Sequence, residues 1–170
     1  IDLDKAEAIL PYSEQIPGEK YEVNDRLKVY ITEVKKTTKG PQIIVSRTHP
    51  GLVKRLFEFE VPEIVRGEVV IKNISREAGS RTKISVYSED ETIDPVGSCV
   101  GHRGIRVQQI VEELRGEKID IIKWSEDPIE YISSALSPAK VLAVLPSYGD
   151  RSAMVIVPDN QLSLAIGKEG

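Results

Sequence analysis

Hydrophobic and polar residues alternate over positions 26–34, which is the period of a strand with one buried face. The apolar positions are Leu27, Val29 and Ile31. A basic turn over 35–40 leads into a second apolar run at 42–45. An isolated hairpin is marginally stable in water, and upstream only residues 5–10 could form another strand. We therefore expect these strands to end a sheet that begins before Ile1.

A different pattern follows Pro50, where apolar residues take the spacing of an amphipathic helix until Pro62 removes a backbone donor. A later helix has its apolar face at Val107, Ile110, Val111 and Leu114. Gly116 then stands where a left-handed C-cap belongs. Strands are predicted at 69–74, 81–87 and 119–124. With a short helix before the second amphipathic one, the order is helix, strand, strand, helix, helix, strand.

The same order of elements begins again at Asp127, which can cap a helix that opens with proline. The residues expected on its inner face are Ile129, Ile132 and Leu136. Strands are predicted at 140–145 and 153–157, with a turn at 148–150. At a shift of 70 residues, Gly79 matches Gly149 and Arg81 matches Arg151, together with several apolar strand positions. The chain therefore contains an internal repeat.

Each copy of the repeat carries a Gly-x-x-Gly sequence after a short apolar stretch. The two copies are residues 101–104 and 167–170. Because glycine makes up about 7% of residues, one such string is expected by chance roughly once in a chain of this length. Both copies, however, follow the second strand of a repeat and are preceded by a small and a β-branched residue. This shared context favours a common function for the two loops.

Glycines at both ends of a tight turn remove the Cβ atoms that would hold a sugar-phosphate backbone away, and they permit positive φ. The helix that follows directs free N–H groups and the positive end of its dipole to the same place, which favours an anion. Further donors at the first loop are His102, Arg103 and Arg106. In the second loop Glu169 offsets Lys168, so we expect a weaker grip on phosphate there. The alternative is that the glycines only let two helices pack closely.

The chain has 170 residues, with 23 Lys and Arg against 27 Asp and Glu, and a formal net charge of −4. The charge is segregated. Positions 26–55 carry eight basic residues and one acidic residue, whereas 89–94 carry four acidic residues and no basic one. Such blocks allow an acidic protein to hold a polyanion on a cationic face. Ordinary solvated faces would give the same blocks, so the charge pattern alone leaves both interpretations open.

Catalytic motifs are absent from the sequence. Neither Gly-x-Ser-x-Gly nor His-Glu-x-x-His occurs, and Lys168 is not followed by Ser or Thr as in a P-loop. Two histidines and one cysteine cannot form a zinc site of usual composition. Asp90, Glu91 and Asp94 either bind a metal or form an exposed acidic loop. We therefore expect a protein that is not an enzyme and needs no cofactor or metal.

The single cysteine, Cys99, excludes an internal disulfide, which fits a reducing compartment. The longest apolar runs are a few residues long, against the ~20 that span a bilayer. We therefore expect a cytoplasmic protein without a membrane segment. The chain lacks an initiator methionine and ends directly after the apolar stretch before Gly170, so we also expect it to be a piece of a longer protein.

The helix, two strands, Gly-x-x-Gly helix pair and last strand resemble a bacterial-type (type II) KH domain, which clamps about four single-stranded nucleotides at that loop. The upstream region is similar, at residues 24–29 and 44–47, to the end of the OB-type RNA-binding module named after ribosomal protein S-one. An OB module followed directly by tandem KH domains closely resembles the NusA family of bacterial transcription factors. Polynucleotide phosphorylase combines the same modules in the opposite order.

The resemblance implies an α+β fold with a partial OB-type β-barrel and two KH domains, the second incomplete. It divides the chain into an OB part at 1–50, a first KH domain at 51–124 and a second at 125–170. It implies a single-stranded RNA-binding regulator of bacterial transcription elongation, pausing, termination and antitermination. RNA polymerase would bind chiefly through regions outside this chain, and a monomer is expected. The alternatives are a protein-binding scaffold without RNA contact and an RNA-processing factor with KH and OB modules.

The predicted RNA-binding residues are Val100, Gly101, His102, Arg103, Gly104, Ile105, Arg106, Gly167, Lys168 and Gly170. We expect Val100, Ile105 and strand residues 84–87 to form a groove for bases, with core packing as the equal alternative. Only three residues separate the two units, so we predict rigid packing and one RNA track of roughly eight nucleotides. Cys99 is expected to be buried, and Trp124 to be a strand-end core residue or, less favoured, a stacking residue.

Overall fold

The computed structural model describes residues 1–147 and 149–168, which form three small sheets with helices packed against the second and third. The N-terminal sheet contains β1 (Ala8–Ile9), β2 (Tyr30–Thr37) and β3 (Gly40–Ser46). Its strand order is β1-β3-β2, with β1 parallel and β2 antiparallel to β3. A 3₁₀ turn at Tyr12–Glu14 lies between the first two strands.

The second strand departs from the predicted pattern. β2 begins at Tyr30, four residues later than predicted, and is exposed along most of its length. Ile31 is 50% exposed and Val34 is 60% exposed. The pairing with β3 shifts register between Ile31 and Glu33, and such a bulge interrupts the alternation of the two faces. The prediction that Ile31 lies on a buried face is therefore wrong.

The second unit has the predicted order of elements with one addition, a short helix that begins at Pro62. These are α1 (Pro50–Glu60), α2 (Pro62–Val65), β4 (Val70–Glu77), β5 (Arg81–Tyr87), α3 (Pro95–Val100), α4 (Ile105–Glu113) and β6 (Lys118–Lys123). The strand order is β4-β5-β6, with β4 antiparallel and β6 parallel to the central strand β5. Gly116 has a φ of 98°, as its predicted place in a left-handed cap requires. The α+β class is confirmed.

The core of this unit lies between the sheet and its helices. Ile84 and Val86 of β5 are fully buried and face the apolar stripe of α1. The other buried members are Leu52, Val53, Leu56, Phe57, Val61, Val69, Cys99, Ile110 and Leu114. α1 begins at Pro50 because Nδ1 of His49 accepts a hydrogen bond from the Gly51 N–H at 2.9 Å. The core thus fixes α3 and α4, and with them the loop between them.

The third sheet repeats this arrangement in part. It contains β7 (Ala143–Ser147) and β8 (Ser152–Ile156), which pair antiparallel between α5 (Pro128–Ala135) and α6 (Leu162–Ile166). The Asp127 carboxylate accepts from the Ile129 N–H at 2.9 Å, which confirms the predicted cap. Ile129 itself is 43% exposed, so its predicted place on the inner face is wrong. The helix instead turns Tyr131 toward the first unit.

A buried ion-pair network joins the N-terminal sheet to α4. The side chain of Arg47 is 0% exposed and donates hydrogen bonds to the Glu19 carboxylate. It also donates to the main-chain oxygen of Lys28 at 2.8 Å. Glu113 accepts through its main-chain oxygen at 2.9 Å and its carboxylate at 3.1 Å. Arg115 approaches the same Glu19 carboxylate at 3.3 Å, so two cations share one buried acid.

A second buried carboxylate ties the β4–β5 hairpin to the start of α1. Glu117 accepts from Nε and Nη2 of Arg76, both at 2.9 Å, and both side chains are 0% exposed. It also accepts from the Gly79 N–H at 2.9 Å and from the Thr82 hydroxyl at 2.5 Å. Arg76 donates in addition to the main-chain oxygen of His49 at 2.9 Å. The described buried side-chain nitrogen and oxygen atoms all have partners, so these charges are fully satisfied.

Candidate nucleic-acid interface

The first Gly-x-x-Gly loop forms a tight turn between α3 and α4. Gly101 has φ 77° and ψ 171°, a conformation that only glycine adopts readily. Arg103 and Gly104 follow in the left-handed region, with φ of 53° and 77°. The Gly104 N–H donates to the main-chain oxygen of Gly101 at 3.1 Å and closes the turn. The backbone requirement that the glycines indicated is therefore present at both ends of the loop.

The side chain of Arg106 packs against this turn and stabilises it. Its Nη1 donates to Glu63 Oε2 at 2.9 Å and to the main-chain oxygen of Ser98 at 2.6 Å. Its stem packs so closely that a Cβ on Gly101 would lie 2.7 Å from the Arg106 Cγ. The observed hydrogen bonds of Arg106 give this residue a structural role in the loop. Its predicted contact with RNA stays a prediction. Sequence reasoning missed Glu63, because no local pattern connects the two residues.

The two loop glycines are expected to respond differently to replacement by alanine. Gly101→Ala introduces both an unfavourable backbone and a contact with Arg106, and we expect it to cost about 1–3 kcal/mol of stability. Gly104 has ψ 10° and nothing within 4 Å of an added Cβ, so Gly104→Ala should cost only about 1 kcal/mol. Urea denaturation measures both. Equal losses would show that the Arg106 contact does not constrain Gly101.

The loop presents its cations to solvent. His102 and Arg103 are exposed, and no ion pair of either occurs within residues 1–147 and 149–168. Val100, on one side of the loop, is half-buried, and Ile105, on the other, is 56% exposed; their contact with bases stays a prediction. The structure therefore brings together basic groups, a glycine backbone and an apolar edge. This combination suits a phosphate next to a base.

An open groove of about 680 Å³ lies beside the loop. Its lining residues include Glu63, Arg66, Glu68, Asp94, His102 and Ile105. Two of the carboxylates already accept from arginines: Glu63 from Arg106 at 2.9 Å, and Glu68 from Arg66 at 2.9 and 2.8 Å. Glu63 and Glu68 belong to the α2–β4 segment, in which no sequence motif indicated a function.

The strand residues assigned to the groove lie elsewhere. Ile84 and Val86 are 0% exposed within the core, so their predicted place in a base-binding groove is wrong. The reason is that β5 is the central strand and is covered on both faces.

Cys99 is buried as predicted, and burial raises the pKa of its thiol to about 12, which leaves it unreactive.

The predicted core residue Trp124 is half-buried at the end of β6. Its ring packs edge to face against Tyr87, with 5.3 Å between ring centroids. The Lys72 ammonium lies 4.3 Å from the centroid of the Trp124 ring and 5.0 Å from that of Tyr87. The lysine thus covers aromatic surface that a base would need for stacking, which favours a structural role for Trp124.

The second loop begins with the same backbone conformation as the first. Gly167 has φ 78° and ψ −168°, close to the values of Gly101. Its N–H donates to the Ser163 oxygen at 3.1 Å, as the Gly101 N–H does to Gly97 at 2.9 Å. Lys168 is exposed. The predicted site residue Gly170, like its neighbour Glu169, lies outside the described residues.

The basic block at 26–55 contributes less free charge than its composition indicates. Arg47 is buried, Lys35 pairs with Glu33, Lys28 with Glu113, and Arg55 with Glu58. The exposed cations of this block that have no ion pair within the described residues are Arg26, Lys36, Lys39 and Lys54. Half of the eight basic residues are therefore paired, three of them with acids outside the block and Lys35 with Glu33 inside it.

Two of the acidic residues of positions 89–94, Asp90 and Asp94, have local structural roles. Asp94 caps α3 by accepting from the Val96 N–H at 3.1 Å, and Asp90 accepts from the Thr92 N–H at 2.9 Å. In residues 1–147 and 149–168, no group of three or more His, Cys, Asp or Glu side chains is placed to hold a metal ion. In those same ranges, no helix has the length and apolar character that crossing a membrane requires.

Comparison with known proteins gives two family matches and several relatives. The model of the NusA-like first KH domain matches residues 47–124, and that of the NusA-like second KH domain matches residues 128–170. Relatives named transcription termination/antitermination protein NusA are 64% identical in Halalkalibacterium halodurans and 63% in Bacillus subtilis, over 100% of this chain. A Thermus thermophilus protein of that name is 49% identical over the same length. The chain spans 44%, 46% and 44% of these relatives.

Proposed function

The chain belongs to the NusA family, and we propose that it binds single-stranded RNA on its two KH units as a regulator of bacterial transcription. The regulated steps are elongation, pausing, termination and antitermination. The observation that carries the proposal is the repeated loop: a glycine with the same φ and ψ ends a short helix in both units. In the first unit, two exposed basic side chains follow it.

The first loop is the stronger anchor in this proposal. His102 and Arg103 donate to phosphate oxygens, and the missing Cβ of Gly101 lets the sugar-phosphate backbone approach the main chain. The bases then lie against Ile105 and the groove. At the second loop Gly167 and Lys168 repeat the contact with fewer positive charges. About four nucleotides at each loop make one track of roughly eight.

The domain division at 1–50, 51–124 and 125–170 is part of this proposal. So is a contact with RNA polymerase, which we assign to regions beyond this chain, and so is a monomeric, cytoplasmic state. The β7–β8 hairpin of the second KH unit matches the β4–β5 hairpin of the first at a shift of 70 residues, and its Gly-x-x-Gly sequence follows at a shift of 66. The exposed acidic residues at 89–91 support one alternative, a scaffold that binds a basic protein instead of RNA.

The double variant His102→Asp/Arg103→Asp tests the proposal. It keeps both glycines but places two carboxylates where phosphate should lie, so we expect RNA affinity to fall at least ~10-fold. The measurement is a titration of short single-stranded RNA by fluorescence anisotropy, with DNA of the same sequence as a comparison. Affinity should also decrease with added salt, because bound phosphates release counterions.

A matched control is Lys36→Asp/Lys39→Asp, which reverses two exposed cations, one near the end of β2 and one in the turn to β3. A similar loss in this control would assign the effect to overall charge. Unchanged affinity in a folded His102→Asp/Arg103→Asp variant would overturn the role of the loop. If the unmodified chain bound no RNA at any salt concentration, the scaffold interpretation would be favoured.

A further inference from the structure

The polar face of β5 is not open to solvent, because α5 of the second unit lies across it. Ser85 is 2% exposed, although its neighbours in the strand fill the core on the other face. The Tyr131 hydroxyl on α5 donates to Ser85 Oγ at 3.0 Å and accepts from Asn73 Nδ2 at 3.3 Å. Asn73 and Ser85 are directly paired across β4 and β5. One side chain of the second unit is thus bonded to two strands of the first.

Lys83 makes a second attachment on the same face of β5. Its ammonium donates to the main-chain oxygen of Ala135 and, at 2.8 Å, to that of Ser137. Both oxygens lie at the C-terminal end of α5, where carbonyls lack helical partners and the helix dipole is negative. Burial lowers the pKa of Lys83, an effect that the charge of Asp120 opposes. The ammonium is therefore directed at the one end of α5 that favours a cation.

These attachments lie on a continuous path between the two loops. The first loop follows α3, which packs on β5. β5 holds α5 through Lys83 and Ser85, and α5 packs on β7. β7 pairs with β8, after which the chain enters the second loop. The α5 contact is therefore one link in the packing that connects the first loop to Gly167.

We propose that Lys83 and Tyr131 are positioning residues, which hold the second loop at a fixed place relative to the first so that one RNA strand occupies both. The proposal rests on the proposed function and names the residues that couple its two RNA-binding loops. Two sites at a fixed spacing reach a high effective concentration, which raises affinity by about 10²–10⁴ without new contacts. Without these bonds α5 keeps its packing on β6, but the second unit gains rotational freedom about the three-residue connection and part of that affinity is lost.

The length dependence of RNA binding tests this inference. Single-stranded RNAs of about four and about eight nucleotides are titrated against the chain, its Lys83→Met/Tyr131→Phe variant and each single variant. The substitutions keep the aliphatic stem and the aromatic ring, so packing is conserved. We expect the ratio of long-RNA to short-RNA affinity to fall at least ~5-fold, with short-RNA affinity changed less than about twofold. Lys83→Arg retains hydrogen-bond donors at this position, so we expect it to keep most of the affinity ratio of the unmodified chain.

Lys118→Met is the matched control, because it removes one positive charge from an exposed position of the neighbouring strand β6. An unchanged ratio in a variant whose circular dichroism is that of the parent chain would overturn the inference. An equal loss for both RNAs would also overturn it, since that result indicates a structural role only. If the parent chain bound neither RNA, the proposed function itself would fail, which the titration distinguishes from failure of the positioning role.

Discussion

Replacement of Glu117 by alanine is expected to lower the free energy of unfolding by about 3–5 kcal/mol. The side chains of Glu117 and Arg76 are both 0% exposed and are joined by two hydrogen bonds. The variant leaves the Arg76 guanidinium buried without a counter-charge. It also removes the acceptor of the Gly79 N–H and of the Thr82 hydroxyl. Loss of one partner is costly because the remaining charge has already given up its hydration.

Urea denaturation followed by circular dichroism measures this loss. Glu112→Ala is the control, since Glu112 is exposed on the adjacent helix and, within the described residues, its carboxylate accepts a hydrogen bond only from Gln108. We expect the control to change stability by less than about 0.5 kcal/mol. Glu117→Gln, which keeps one acceptor but not the charge, should fall between the two. A loss below about 1 kcal/mol for Glu117→Ala would contradict the role assigned to this pair.

The same carboxylate makes stability depend on pH. Burial raises the pKa of Glu117, but hydrogen bonds from Arg76, Thr82 and Gly79 outweigh burial and hold it below the ordinary value of 4.5. A depressed pKa in the folded state means that the stabilisation is fully present above pH 4.5 and is lost as the pH falls through the folded-state pKa. Denaturation at graded acid pH should therefore show a shallower decline for Glu117→Ala than for the unmodified chain.

The KH units could be predicted from sequence because their elements satisfy local rules. β5 occupies the predicted residues 81–87, since β-branched and polar positions alternate between two turn signals. The N-terminal sheet followed its pattern less closely. Ile31 has the alternation of a buried position but lies beside a bulge, and a bulge of this kind has no sequence signature as clear as the period of a strand.

In the candidate site, too, some features depend on the local sequence and others on residues far away in the chain. The conformations of Gly101 and Gly167 are local requirements of the backbone, and the spacing of the glycines indicated them. The role of Arg106 depends on Glu63, 43 residues away, and that of Lys83 on carbonyls more than 50 residues away. No periodicity connects such pairs. For the same reason, the charge of residues 26–55 was overestimated from composition.

Arg47 is the residue for which composition and structure disagree most. Counted as a surface cation, it would contribute to RNA binding, whereas the structure buries it against Glu19 and Glu113. We expect Arg47→Met to lower the free energy of unfolding by about 3–5 kcal/mol, because it removes the Arg47 counter-charge of the buried Glu19 carboxylate. Arg47→Lys should recover little, since an ammonium cannot reproduce the several bonds of the planar guanidinium.

A double-mutant cycle with Glu19→Gln separates the ion pair from general packing. Removal of both charges should cost less than the sum of the two single losses, because neither variant partner then remains as an isolated buried ion. Arg115 lies 3.3 Å from Glu19 and partly compensates its charge when Arg47 is absent, so it reduces the loss of stability in Arg47→Met. Strict additivity, measured by urea denaturation, would contradict the coupling. A loss of RNA affinity without loss of stability in Arg47→Met would show that this residue acts at the surface after all.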